Sequence, residues 1–295
     1  MVKIEEITII IPVYNCEKYI EKCLKSIIEQ TYSKIKIVII NDGSTDKTIY
    51  IVKKLMSISN RDIKLYCTQN QGIAKTRNLA ISLCDTNYFM FVDADDYLEK
   101  QAVEKLYNKL VKENCDMVIG SIDDFLENEI LLNEENKYDF LFNYKVKCFE
   151  TPWNKLYKKA IFNDLKYPEL NLAEDEYLFH HILKKCKKIT IIPDKTYNYN
   201  NNSEGLTAKN AIYIKDRIYA MKNKKNFFKN TKYEEIATKQ YMNFLIYLYC
   251  EKNQRNMDKQ CKKEILKLYK SEKWIINFKY SFFRFFPSIY CLLKK

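Results

Sequence analysis

Glycine is scarce in this chain. Its 295 residues include four, Gly43, Gly72, Gly120 and Gly205. Neither a G-x-G-x-x-G turn nor a Walker A loop can be written with that spacing, so a nicotinamide dehydrogenase and a P-loop nucleotidase are excluded. Histidine occurs twice, as the adjacent pair His180 and His181, which face different sides of one helix, so at most one reaches any site. The ten cysteines are scattered and contain no C-x-x-C pair. A zinc cage or disulfide framework is therefore not expected, and reduced thiols of a cytosol are. No stretch of about eighteen residues lacks charge, which argues against a membrane-spanning helix. The opening "MVKIEEITIIIP" has no long apolar region before a small-residue cleavage site and reads as a first strand, not a leader. No repeat at a solenoid period is present.

What the chain does have is positive charge and apolar mass. The formal net charge is +12, which points to an anionic partner, although the abundance of lysine, isoleucine, asparagine and tyrosine also fits a biased genome. Hydrophobic residues make up 47%, enough for one large core or two modest ones.

The first hundred residues alternate strands and helices. "ITIIIP" (7–12) is a continuous apolar run of the buried parallel type. Ile20, Cys23, Leu24, Ile27 and Ile28 then recur at helical spacing and predict a helix near 17–30. "KIVII" (36–40) is a second strand. "NDGSTD" follows as a turn from which Ser44, Thr45 or Asp46 caps a helix running to about Ser59. "IKLYC" (63–67) is a third strand, Gly72 opens a helix through Cys84, and "NYFMFV" (87–92) is a fourth strand. This order predicts a parallel sheet with helices on both faces. Ligands of such sheets bind beyond the strand C-termini, where residues 12–15, 41–46 and 93–96 all fall. Further on, the pattern predicts a helix over 98–114, a strand at 116–120, an irregular acidic segment over 121–150 and a helix over 172–186. A strand over 188–193, a loop, hinge or lid over 198–210, and a basic, aromatic helical region from 211 to 295 complete it.

Three constellations carry chemistry. In "YFMFVDADDYL" (88–98) an apolar strand runs straight into Asp93, Asp95 and Asp96. Carboxylates this close raise one another's pKa unless a cation or hydrogen-bond donors sit among them. Asp93 and Asp95, in D-x-D spacing, suit a hard divalent cation that keeps several waters and borrows phosphate oxygens. Asp96 suits capping the helix that begins near Leu98. Asp42 serves either its own Asp-Gly turn or a nucleobase imide or ribose hydroxyl. Arg77, one turn into its helix, is either solvated or orients the acidic loop or a diphosphate. Glu174 and Asp175 are either ordinary acids of a first helical turn or include a general base for an acceptor hydroxyl. At the C-terminus, "WIINFKYSFFRFFPSIYCLLKK" (274–295) mixes rings with cations, as an interfacial membrane helix does, and reads equally as a helix packed on the body.

Taken together, "IIPVYNCEKYIEKCLKSIIEQTY", "VIINDGSTDKT", "NQGIAKTRNLAI", "FVDADDYL", "WNKLYKKAIF" and "AEDEYLF" resemble the family 2 glycosyltransferases of GT-A fold, over roughly residues 5–200. The resemblance implies an α/β fold with a Rossmann-like nucleotide-binding sheet. It divides the chain into a GT-A domain over 1–210 (a nucleotide-sugar half, 1–97, and an acceptor half, 98–210) and a helical region over 211–295. It implies inverting transfer of a sugar from a nucleotide donor, a UDP-sugar, to a glycan or lipid-linked acceptor in surface polysaccharide synthesis. Pro12, Val13, Tyr14 and Asp42 would line the nucleotide pocket with Arg77 nearby. Asp93 would approach ribose or metal, and Asp95 would ligate Mg2+ or Mn2+. Asp175 would be the base, and Trp153, Asn154, Lys155 and Glu174 would shape the acceptor side. The implied setting is the cytosolic face of a membrane, with 274–295 against anionic lipid and no nucleic-acid partner. Two departures stand out: Thr76 precedes Arg77 where the family usually has alanine, and "YNYNNNSEG" carries no arginine or lysine. Two other readings remain. A haloacid dehalogenase-type phosphatase also places D-x-D after a strand, but usually with Thr or Val where Tyr97 stands. A membrane-tethered, inactive glycosyltransferase-like subunit is the other.

Overall fold

The computed structural model describes residues 4–123, 126–143, 149–202, 213–250 and 261–268. The apolar runs become the strands β1 (Ile7–Val13), β2 (Ile35–Asp42), β3 (Asp62–Thr68) and β4 (Tyr88–Phe91), all parallel to one another. Every residue of β1 is buried, as a strand covered on both faces requires. On one face, Ile7, Ile9, Ile11, Ile35, Ile37 and Ile39 join a single apolar cluster with α1 (Ile20–Ile28), α2 (Thr48–Ile58) and α4 (Ala102–Glu113). α3 (Ile73–Leu83) packs on β1 and β2 outside that cluster. Pro12 lies beyond Ile10, the last residue of β1 in register with β4, so its missing N–H interrupts no rung there.

The second half extends the same sheet with mixed direction. β6 (Met117–Ser121), β7 (Ile130–Leu132), β8 (Lys155–Lys158) and β9 (Ile189–Lys195) give the order β3-β2-β1-β4-β8-β6-β9-β7. β8 lies antiparallel between β4 and β6, and β9 runs parallel to β6. The segment expected to be irregular holds β7 and a short helix α5 (Lys137–Asn143). The helix expected from 98 starts later, at Ala102, because Tyr97–Leu98 (β5) pairs antiparallel with Tyr197–Asn198 (β10). That two-stranded ribbon also takes up the start of the expected 198–210 loop; residues 203–210 lie outside the described residues. α6 (Glu174–Lys185) precedes β9. Gly120 is required by close approach: a Cβ there would stand 1.8 Å from Thr196 Oγ1.

The chain divides into two compact units, Met1–Arg217 and Ile218–Lys295. The second contains most of α7 (Ile214–Phe227), α8 (Glu234–Cys250), which buries Tyr241, Met242, Leu245 and Ile246, and a helical stretch at 261–268. Among the described residues no helix is long and apolar enough to cross a membrane. Cys16, Cys23, Cys67, Cys84, Cys115, Cys186 and Cys261 are free thiols, whereas Cys250 is disulfide-bonded, which corrects the expectation of reduced thiols at that position.

Candidate active site

The loops that follow β1 and β2 are locked to each other by side chains. Asn15, at a left-handed φ of 49°, accepts the Thr45 N–H on Oδ1 at 2.8 Å and donates its own N–H to Ser44 Oγ at 2.9 Å. Glu17 accepts the Lys47 N–H at 2.8 Å, and Asp46 accepts the N–H groups of Glu17 and Thr48. Burial works to raise the Asp46 carboxyl, but these hydrogen bonds hold it below the usual range. Asp46 is thus the residue that serves α2, of the three the turn offered. Tyr14 is left 48% exposed at the mouth of this double loop, while Pro12 and Val13 are buried and shape it through backbone alone.

Asp42 has a structural task as well. Its two oxygens accept the N–H groups of Gln71 and Gly72, each at 2.9 Å, and thereby hold the turn into α3. Gly43 beside it has φ 75°, and a Cβ would meet Asn70 N at 2.7 Å, so glycine is needed on both counts.

Beyond β4, each of the three aspartates has a different environment. Asp93 lies 3.4 Å from Arg77 Nη2; burial pushes its carboxyl up to about 6, against the pull of Arg77 and with a further push from Asp95. Asp95 is half-buried, and its Oδ2 accepts the Asn202 side-chain amide at 3.0 Å. Asp96 is 1% exposed and caps no helix. Instead it accepts the Tyr197 hydroxyl at 2.8 Å and the Asn200 N–H at 2.8 Å, fastening the β10 ribbon to the acidic loop. Burial and the neighbouring Asp93 push Asp96 up to about 8, against those two hydrogen bonds. Tyr197 also accepts the Asp93 N–H at 3.1 Å. Sequence reasoning missed Tyr197, Asn200 and Asn202, because a tyrosine and two asparagines in a polar stretch carry no motif.

Arg77 sits at the centre. It is 4% exposed, with Nη1 ion-paired to Glu174, Nη2 facing Asp93, and the rings of Phe91 and Tyr167 within 5.8 Å of its guanidinium. It joins the acidic loop to the first turn of α6, so of the roles open to it the structure displays orientation of that loop. Glu174, 5% exposed, is engaged by Arg77 and offers little surface to an acceptor. Burial raises its carboxyl and Arg77 opposes the rise. Glu176 is ion-paired with Arg217 at 3.1 Å. Between them, Asp175 has no ion-pair partner among the described residues; its Oδ1 accepts the Glu176 N–H at 2.8 Å. Asp175 acts electrostatically on Arg77, Asp93, Glu174 and Glu176, which places it within reach of both acidic clusters.

On the acceptor side the expectation needs correction. Asn154, just before β8, and Lys155, its first residue, are both fully buried. Asn154 bridges Gly120 O and Thr196 Oγ1, and Lys155 Nζ donates to Trp153 O at 3.3 Å, so neither has surface to give a ligand. Trp153 is 7% exposed and stacks on Tyr197 at 4.7 Å and on Tyr199 at 5.5 Å. Its reach to the acidic loop runs through Tyr197.

Among the described residues no three Asp, Glu, His or Cys side chains converge to hold a metal. Asp93 and Asp95 each keep one oxygen that accepts no hydrogen bond among the described residues. Two carboxylate oxygens at a partly open loop fit a hard cation that takes its other ligands from a diphosphate and water.

The family model for Glycosyl transferase family 2 matches residues 8–170. Glycosyltransferase GlyA of Streptococcus pneumoniae is 35% identical over 66% of this chain and 30% of its own length. The poly(ribitol-phosphate) beta-N-acetylglucosaminyltransferase TarS of Staphylococcus aureus is 27% identical over 72% of this chain and 38% of its own. The chain therefore spans about a third of the length of these two relatives. The crystal structure of TarS 1-349 in complex with UDP-GlcNAc shares the fold with a TM-score of 0.64 at 22% identity, over 84% of this chain and 74% of that one. The mannosyltransferase PcManGT from Pyrobaculum calidifontis, in complex with GDP-Man and Mn2+, gives 0.60 at 15% identity over 99% and 87%. With its acidic loop at the C-terminal end of β4 and a GT-A sheet beneath it, this chain belongs to glycosyl transferase family 2.

Proposed function

We propose that this protein transfers a sugar, with inversion, from a nucleoside diphosphate donor to a hydroxyl of a polysaccharide or lipid-linked glycan, with Asp175 as general base. The observation that carries this reading is the pattern of charge compensation on the first turn of α6. Glu174 is neutralised by Arg77 and Glu176 by Arg217, and the acid between them is left uncompensated. A base must keep an accessible carboxylate to take a proton, and Asp175 alone of the three meets that condition. A single base suffices, because a nucleoside diphosphate leaves more readily than the sugar alcohol that a glycosidase must protonate with a second acid. UDP is the donor nucleotide proposed, as in the TarS complex; GDP, as in the mannosyltransferase complex, is the alternative outcome of a donor screen. Thermal stabilisation by a panel of nucleotide sugars separates the two, since a ligand that binds the folded state raises its melting temperature.

In this reading Tyr14 and Asp42 line the nucleoside pocket, Asp42 through the remaining acceptor site of Oδ2, since Oδ1 already takes Thr68 and Gln71. Asp95 and Asp93 would hold Mg2+ or Mn2+, which when bound stabilises the charge developing on the leaving diphosphate. Arg77 keeps Asp93 and the Asp175 turn in register. Asp95→Ala is expected to weaken UDP binding at least tenfold in the presence of Mn2+ and to leave metal-free binding unchanged. Calorimetric titration with and without the ion reads this, and equal affinities in wild type and variant would remove Asp95 from the site. A phosphatase reading predicts hydrolysis of an aryl phosphate, and an inactive subunit predicts UDP binding without transfer.

Residues 274–295 lie outside the described residues. We propose that they rest on an anionic membrane surface at its cytosolic face. Deleting them is expected to move the protein from the membrane to the soluble fraction, and an unmoved distribution would return them to the packed-helix reading.

A further inference from the structure

α6 opens with three consecutive acids, and such a cluster in one helical turn would ordinarily suppress ionisation of all its members. The sheet side of the turn is balanced by Arg77, which belongs to the family motif region. The balance on the other side comes from outside the matched region: Arg217, in the first turn of α7, lies with Nη2 3.1 Å from Glu176 Oε1. The preceding residue reinforces the contact. Asp216 accepts the Asn171 N–H at 2.8 Å, so the start of α7 grips both the approach to α6 and its first turn. Glu176 is also the residue whose N–H holds Asp175 Oδ1 at 2.8 Å. Its backbone therefore orients the proposed base, and its carboxylate and that of Asp175 act on each other electrostatically. Burial raises the Glu176 carboxyl, Arg217 opposes the rise, and Asp175 and Glu150 add to it.

We infer that Arg217 is a positioning residue for the transfer reaction: by neutralising Glu176 it keeps the carboxylate of Asp175 ionised and aimed. The inference rests on Asp175 being the base. The groups acting on Asp175 are Glu174 and Glu176 from its own helix, Arg77 from α3, Asp93 from the end of β4, Tyr157 from β8 and Tyr167 from the segment before α6. Of the cations among them, Arg77 already answers Glu174 and Asp93. Removing Arg217 adds one unanswered negative charge next to Asp175; no described group is placed to replace it.

The test is the pH profile of kcat/KM for sugar transfer by the full chain. Arg217→Ala is expected to move the acidic limb upward by roughly one pH unit, the size of shift a neighbouring like charge produces. Glu176→Gln removes the like charge next to Asp175 while keeping the Arg217 cation beside the same helical turn, and is expected to move the same limb downward. The double variant Arg217→Ala/Glu176→Gln removes both charges and is expected to return the limb close to wild type. A contact that only held α7 in place would lower activity at all pH values, and Glu176→Gln would not rescue it; that result overturns the inference. An unmoved limb in both single variants overturns it as well. If Arg217→Ala does not fold, Glu176→Gln alone decides by the direction of its shift. If Asp175→Asn retains full transfer, the base assignment fails, and the inference falls with it; if Asp175→Asn is inactive and the limb does not move, only the inference falls.

Discussion

Asp175→Asn is expected to lower kcat by about 10²- to 10⁴-fold, the range that general base catalysis contributes, while leaving UDP affinity within twofold of wild type. The substitution keeps shape and removes the one function required of the group, acceptance of a proton from the acceptor hydroxyl. Asp175 makes no hydrogen bond with the loops after β1 and β2 among the described residues, where the nucleotide would sit; its carboxylate accepts the Glu176 N–H. Steady-state transfer and UDP titration on the same preparation decide the matter. Parallel loss of both activities would show that Asp175 shapes the donor site, and retention of transfer would move the base elsewhere.

The second large effect is structural. Arg77→Met is expected to cost about 3–5 kcal/mol of stability, the usual penalty for removing one member of a buried ion pair. Arg77 and Glu174 have side chains 5% and 7% exposed, so water cannot substitute for the lost guanidinium. Two acids are orphaned at once, Glu174 and Asp93, and the nearby Tyr167 and Phe91 rings offer neither a charge. Arg77→Lys keeps the charge but reduces a two-armed donor to a point, and an intermediate loss is expected. Urea denaturation midpoints measure both. A wild-type midpoint for Arg77→Met would mean that Glu174 and Asp93 are protonated together, with no need of the cation.

The acidic loop was legible because it is local: Asp93 and Asp95 stand two apart at the end of an apolar run, and Asp93 meets the first turn of α6 through Arg77. Asp96 was misread for the opposite reason. Its partners, the Tyr197 hydroxyl and the Asn200 N–H, lie 101 and 104 residues further on, and nothing near Asp96 announces them. Trp153, Asn154 and Lys155 form a recognisable motif, but a motif does not say whether a strand will be an edge or an interior one. β8 is interior and takes Lys155 into the core, while Asn154 beside it is spent on Gly120 and Thr196. Glu174 and Asp175 were inseparable in sequence. On a helix, adjacent residues point about 100° apart, so one meets Arg77 and the next does not.

The sequence by itself determined the layered α/β sheet and the edge where a ligand would bind. A strand covered on both faces must be apolar throughout and a covering helix must repeat its apolar residues every three to four, and both periods are written in the chain. Only the tertiary structure decided which acids are answered by a cation. Ionic pairing follows distance through space, and Arg77, Glu174, Glu176 and Arg217 come together from segments that the chain order keeps far apart.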